Sequence, residues 1–454
     1  MRGATIAGAV LGAGIVILGL AAGFRAFRQK DDSSAAPVDT AMQGDASLLY
    51  GRVVTTGGAV WQGRLRWGGD QEAFWGDYFN GEKKKNPWAP FVPAGQLPMR
   101  SHSIEIFGWQ FARRERLADL SRLFMARFGD IARIEASMRD VRVTLKSGSV
   151  FDLDRFSASD FDDGVRVWDS TRGVAKLDSG QIRSIDLVAA PAGGRAPHQL
   201  HGTVRTWHGN FSGFLQWNRK QGAGSDELRG HSDNREVRLR FDAIRSIARR
   251  SDDSSLVTLL DGRQTVLSGA SDVGTENRGV YVDDPRYGRV LVPWDSFVSV
   301  EFSPGGSGPS YEDFPRGAAI AGSVTTRDGR RLAGRLVYDL DESEVTETLD
   351  APCEGVDYTI PFGLIESIAI PASGPAKVTL WSGEELRLER RGDLAEENGG
   401  ILVFAHGSAN PEYVPWSDAA RIDLMRPAAM YPPVSPAPSR SHSRSVPRES
   451  VHSR

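Results

Sequence analysis

One cysteine, Cys353, stands in 454 residues. It excludes an intrachain disulfide framework and any zinc cluster built from cysteines. An excess of charge of one sign is also missing: 55 basic residues face 58 acidic ones, for a formal net charge of −3. No global field draws the chain toward nucleic acid or an acidic lipid surface. The common signatures of reaction centres are absent too. The sequence has no H-E-x-x-H, no G-x-S-x-G, no phosphate-binding loop and no G-x-G-x-x-G between a strand and a helix. No cofactor and no metal is therefore expected, and a non-catalytic role is favoured over an enzymatic one.

What is abundant is punctuation. Fifty glycines and 24 prolines point to short strands separated by turns. The length suggests about three domains. Residues 4–24 form an uncharged run long enough, as a helix, to cross a bilayer. Residues 1–30 are thus expected to be a membrane anchor or an export signal, with the exported side favoured for the body. A polar tether follows at 31–48. The Pro-, Ser- and Arg-rich tail, 428–454, has too little apolar surface to offset its chain entropy and is expected to be disordered.

The body repeats itself. "YGRVVTTGGAVWQGRLRW" from Tyr50, "HGTVRTWHGNFSGFLQW" from His201 and "AGSVTTRDGRRLAGRLVY" from Ala321 share G-x-V, a glycine seven residues past the first, and a closing G-x-L-x-aromatic. Each reads as strand, glycine turn, strand, with Gly58, Gly209 and Gly329 expected at positive φ. A second skeleton recurs: "PWDSFVSVEF" from Pro293, "PFGLIESIAI" from Pro361 and "PWSDAARIDL" from Pro415, with "FGDIARIEAS" from Phe128 and "FDAIRSIARR" from Phe241. An aromatic, an apolar residue three later and alternation beyond fit one 3₁₀ turn feeding a final strand. The frames run 49–190, 199–304 and 319–427, with a linker at 305–318, and each frame is built of two related halves. The fold class expected is all-β. "FMARF" aligns with good strands in the other frames, which makes Phe124 onward a strand and confines any helix to 111–121.

Strand, glycine turn, strand, loop, strand, 3₁₀ turn, strand resembles the order of Src-homology-3-like and Sm-like small β-barrels, about 55 residues at a time. The resemblance implies ligand capture by loops and edge strands, with peptide or cell-wall glycan as targets. On it the chain is a membrane-tethered or exported binding or scaffold protein.

The first frame is longer than the others by an insertion at about 80–120. Phe74, Trp75, Tyr78, Phe79 and Trp88, beside Lys83, Lys84 and Lys85, are the candidate ligand-binding residues there: an aromatic floor with a cationic rim. The alternative is that the rings cap the first frame while the lysines are solvated. A hydrolytic site would draw on Lys84, Asp77 or Glu82. Acidic loops at Asp160, Asp162 and Asp163 and at Asp272, Glu276 and Asn277 carry oxygen ligands but match no calcium loop, so glycine-capped Asx turns are preferred. His198, His201 and His208 cluster without a further metal ligand. Arg235, Arg238, Arg240, Arg245, Arg249 and Arg250 form the one basic run, and without interleaved aromatics nucleic acid is an unfavoured partner.

Overall fold

The computed structural model describes residues 46–428 except 69–70, 94–95, 97–104, 107–108, 111–121, 192–197, 234, 270 and 305–307. The chain divides into Met1–Met42 and Gln43–Arg454, and the strands of the described residues belong to the second unit. The expected anchor at 4–24, the tether up to residue 45, the helix at 111–121 and the tail beyond 428 lie outside the described residues. Among the described residues no helix is long and apolar enough to cross a membrane.

The all-β expectation holds. Apart from a two-residue pair, Glu105–Ile106 with Trp109–Gln110, the strands fall into three runs of ten. The first run is β1 (Tyr50–Thr55), β2 (Val60–Trp67), β3 (Tyr78–Lys83), β4 (Arg122–Arg127), β5 (Ile131–Ala136), β6 (Asp140–Leu145), β7 (Val150–Asp154), β8 (Val165–Asp169), β9 (Gly173–Leu177) and β10 (Ile182–Leu187). The second is β11 (His201–Thr206), β12 (Asn210–Trp217), β13 (Glu227–Ser232), β14 (Arg235–Arg240), β15 (Ile244–Ser251), β16 (Ser254–Leu259), β17 (Gln264–Ser268), β18 (Val280–Asp284), β19 (Gly288–Val292) and β20 (Phe297–Phe302). The third is β21 (Ala321–Thr326), β22 (Arg331–Tyr338), β23 (Thr348–Cys353), β24 (Val356–Pro361), β25 (Ile365–Ala369), β26 (Ala376–Leu380), β27 (Glu385–Leu388), β28 (Ile401–Phe404), β29 (Glu412–Val414) and β30 (Ala419–Leu424).

The first sheet has the order β9-β8-β2-β1-β10-β5-β6-β7-β3-β4. Ten strands of the second sheet keep the same order, from β19 at one end to β14 at the other, and the third keeps it from β29 to β27. The hairpin β23–β24 leaves the third sheet and joins the second, β24 lying antiparallel to β19. All pairings are antiparallel, and the first and last strands of each run are partners: Gly51 faces Leu187, Gly202 faces Phe302 and Gly322 faces Leu424.

The halves read along the sequence are not the halves in space. β1, β2, β8, β9 and β10 are neighbours, and the hairpin and meander β3–β7 is inserted between β2 and β8. Each group of five nevertheless contains a strand that follows a one-turn 3₁₀ segment, Phe128–Asp130 before β5 and Ser179–Gln181 before β10. These two strands then pair with each other and fuse the groups into one sheet.

The recurrent skeleton is explained by burial. The turn aims its aromatic inward, and residues three and six later fall on the same face. Phe241, Ile244 and Ile247 are buried, as are Phe362, Ile365 and Ile368 and also Trp294, Phe297 and Val300. They close around the aromatic that ends the second strand of each run: Trp217 meets Phe297 edge-on at 5.2 Å, and Tyr338 lies 5.2 Å from Phe362. The glycine of the G-x-L-x-aromatic motif also has a packing cause. A Cβ on Gly63, Gly213 or Gly334 would run into the backbone carbonyl of Trp168, Asp283 or Phe404 on the next strand.

Gly58 and Gly329 have φ of 84° and 90° as expected, but Gly209 is not among the positive-φ residues. The turn between β11 and β12 is one residue shorter than its counterparts, so Gly209 falls on the residue whose carbonyl accepts from the Thr206 amide, the place of Ala59 and Arg330. The linker before the third run is bound down: Phe314 is buried in the core of the first run, and the Tyr311 hydroxyl donates to the Ile131 carbonyl.

Candidate functional site

The eight candidate residues do not come together as one surface. Phe74, Trp75, Tyr78 and Phe79 are buried, at 0, 5, 4 and 0 % exposure. Phe79 lies edge-on to Trp67 at 5.5 Å, Phe74 sits 5.0 Å from Tyr311, and Trp75 packs with Arg127 and Phe314, at 5.0 and 6.1 Å. These rings precede the insertion rather than lie within it. The extra residues fall between Lys83 and Arg122, at the tip of the β3–β4 hairpin, where β13–β14 and β23–β24 need only a tight turn. Trp88 is half-buried on the third run, against Phe404 and Arg335. Lys84 pairs with Asp140, Lys85 is exposed and Lys83 is buried. The aromatic floor is thus taken apart by packing, because large rings gain more from the core than from solvent.

Buried and half-buried carboxylates organise the contacts between runs. Asp77 accepts from the amides of Glu72 and Ala73, Asp226 from Gly222 and Ala223, and Glu347 from Ser343 and Glu344. The same turn is capped three times, just before β3, β13 and β23. Each cap is also reached from another run. Gln216 donates to Asp77, Arg66 lies 3.6 Å from Asp226, and Lys83 lies 2.8 Å from both Glu347 and Asp341. The first two contacts exchange equivalent positions, since Arg66 and Gln216 each precede the tryptophan that ends their strand. The signal was available in the sequence: an acid at a nearly constant distance after Trp67, Trp217 and Tyr338.

Burial dominates the electrostatics of these groups. It lifts the Asp77 carboxyl to about 7, against the lowering pull of the Ala73 amide and Arg289. Burial likewise lifts Asp341 to about 6, partly offset by Lys83. Burial pulls Lys83 down, but Asp341 and Glu347 outweigh it and hold the ammonium above its ordinary range.

The acidic loops are clasps. Asp272 accepts from the side-chain amides of Asn218 and Gln221 and from the Arg229 backbone N–H, while its carbonyl takes the Trp217 indole N–H. Asp160 and Asp393 hold the equivalent places, accepting from the amides of Asn80 and Asp350. With their oxygens so engaged, they are poorly placed to collect an ion. Among the described residues no group of three His, Cys, Asp or Glu side chains is arranged to hold a metal. His201 bonds Ser303 at 3.0 Å and does not join His208, which is exposed. Three of the six arginines in the basic run are paired locally: Arg238 with Glu236, Arg240 with Asp242 and Arg249 with Asp252. Lys84, Asp77 and Glu82 do not converge, since Lys84 turns to Asp140 and Asp77 caps its buried turn.

Among the described residues a cleft and a strand edge are open to a ligand. The cleft, of about 570 Å³, lies between the first and second runs and is lined by Arg66, Lys220, Arg229 and Arg278 with Asp226 and Asp272. Both acids are already engaged, as above. At the strand edge, β19 receives β24 with Arg289 opposite Thr359, Val290 opposite Tyr358 and Leu291 opposite Asp357, whereas its counterpart β9 ends the first sheet and is mostly exposed. Comparison with protein families, with curated proteins and with solved structures finds no match to this chain.

Proposed function

We propose that this chain is a non-catalytic binding or scaffold protein made of three tandem modules, and that its modules take up extended polypeptide along sheet edges. The observation that carries this is the junction between β19 and β24. There the second module already holds a foreign strand by backbone pairing, with Tyr358 packed edge-on against Phe211 and Tyr287 at 6.0 and 5.6 Å. The resemblance to small barrels is supported by strand succession, because β1, β2, β8, β9, a 3₁₀ turn and β10 run in the order of those folds. β3–β7 follow the same succession entered at a different strand. Peptide is favoured over glycan as the ligand, since four of the five rings that would stack on sugars are buried. Tethering through residues 4–24 would present the modules at a membrane surface, on the exported side by this proposal.

The test uses a synthetic peptide covering Gly355–Gly363, the segment that β19 already holds. On adding it, hydrogen exchange at the amides of Gly173–Leu177 slows. If exchange there is unchanged at saturating peptide, the edge is not a binding surface and the reading fails.

A further inference from the structure

Two terminal strands of this protein fit each other. β9 ends the first sheet, β14 ends the second, and the two are not paired within the chain. Resting on the reading of the edges as binding surfaces, we propose that the protein associates head to tail with a second copy of itself, β14 of one copy adding to β9 of the next.

The junction inside the molecule supplies the register. β9 is the counterpart of β19 by place in the sheet order, and β14 is the counterpart of β24 by place in the run. Carrying the pairs of the β19–β24 junction across sets Val174 opposite Arg238, Ala175 opposite Val237 and Lys176 opposite Glu236. An apolar pair then sits where Val290 meets Tyr358, with Val174 opposite Arg238 on one side and, on the other, Lys176 opposite Glu236, which Lys176 would share with Arg238 of the same strand. The receiving surface is present too. Where Phe211 takes the ring of Tyr358, β2 carries Trp61, half-buried, with the Arg172 guanidinium 5.2 Å from its ring centre. Val237 of the incoming strand would lie on that indole. Gly288, which must lack a side chain for Pro361 and Thr359 to approach, is matched by Gly173, around which nothing stands within 4 Å.

Exposure agrees at both ends. Val174 is 48 % exposed, an unusual setting for a strand valine, and β14 alternates between exposed and half-buried residues along its length. An uncovered edge of this kind is a template for another strand. β29, the third module's counterpart of β9, is a poorer edge because it spans three residues. Because the contact joins two different surfaces, it does not close on itself as a two-fold dimer does. It propagates into a ring or a filament.

Trapping tests the register directly. The full chain in detergent micelles, carrying Cys353→Ser, is prepared with either Lys176→Cys or Glu236→Cys, and the two are mixed under mild oxidation. Opposed α-carbons in an antiparallel pair lie about 5 Å apart, within reach of a disulfide. The mixture is expected to yield a linked dimer and neither variant alone to do so. In sedimentation, Lys176→Glu or Glu236→Lys weakens association by about threefold to fivefold, and mixing the two variants restores it, since each supplies the charge the other has lost. These surface exchanges leave folding intact, and the restoration cannot come from association through residues 4–24. A chain that stays monomeric, or associates without regard to either exchange and without the linked dimer, overturns the proposal. If the Gly355–Gly363 peptide protects β9 while the chain remains monomeric, self-association falls and the edge reading stands.

Discussion

Replacing Lys83 with methionine tests the electrostatics of the contact between the first and third modules. The ammonium lies 2.8 Å from Asp341 and 2.8 Å from Glu347, with all three side chains about nine-tenths buried. At an effective dielectric near 20, each contact is worth about 6 kcal/mol of attraction. Much of that sum is spent on desolvating three ions, so the pair adds little net stability over an apolar equivalent. Removing one partner alone is different, because it leaves two buried carboxylates facing each other. Lys83→Met is expected to cost about 3–5 kcal/mol at pH 8, measured by equilibrium urea unfolding.

The sign of the pH dependence separates this account from simple loss of packing. Burial already raises the Asp341 carboxyl to about 6, well above its unfolded value. A carboxyl raised in the folded state binds its proton more tightly there. It therefore lowers stability increasingly as pH rises from about 4 through its folded pKa. Without Lys83 that pKa climbs further, so the deficit of the variant is large at pH 8 and shrinks toward pH 5 as Asp341 takes up its proton. The triple variant Lys83→Met, Asp341→Asn, Glu347→Gln recovers most of the loss, the glutamine oxygen still capping Ser343 and Glu344. A deficit under about 1 kcal/mol at pH 8, or one that does not change with pH, would refute the reasoning.

Asp272→Ala strands the amides of Asn218, Gln221 and Arg229 and is expected to cost about 2–4 kcal/mol in thermal unfolding. Added calcium should shift the Tm of neither the variant nor the parent, and a calcium-dependent rise in the parent would make the loop an ion site after all. Asp77, raised by burial to about 7 from 3.8, should lower stability by about 2 kcal/mol between pH 5 and pH 7. That slope should flatten in Asp77→Asn. An equal slope in parent and variant would show that the carboxyl titrates alike in folded and unfolded chains.

Much of the architecture could be read because its causes are local and recur. An aromatic followed by apolar residues three and six later, as at Phe241, Ile244 and Ile247, has one economical use at the end of a strand, and its repetition marks the ends of the runs. The strand at Arg122–Arg127 was legible because its equivalents at β14 and β24 read as strands. Spatial grouping was not readable. Period-two alternation says which face of a strand is buried but not which strand lies beside it, so β3–β7 were not seen as an insertion between β2 and β8. The same limit hid the transfer of β23–β24 to the second sheet. At the candidate site, composition misled. Phe74, Trp75, Tyr78 and Phe79 sit beside three lysines in sequence, yet a ring's fate is set by the partners that reach it, here Trp67, Phe128, Tyr311 and Phe314. Lys83 looked like a solvated cation because its counter-charges, Asp341 and Glu347, lie in a different module.

The pairing of first with last strand in every module has a consequence for how such a chain can grow. Entry and exit stand side by side at one rim, so an additional unit spliced between two existing ones needs only a short connector and disturbs no threading inside its neighbours. Lengthening by whole-unit duplication is therefore mechanically easy for this design. Loss of half a unit is not: cutting between β5 and β6 would divide the inserted meander and strip both partner groups at once.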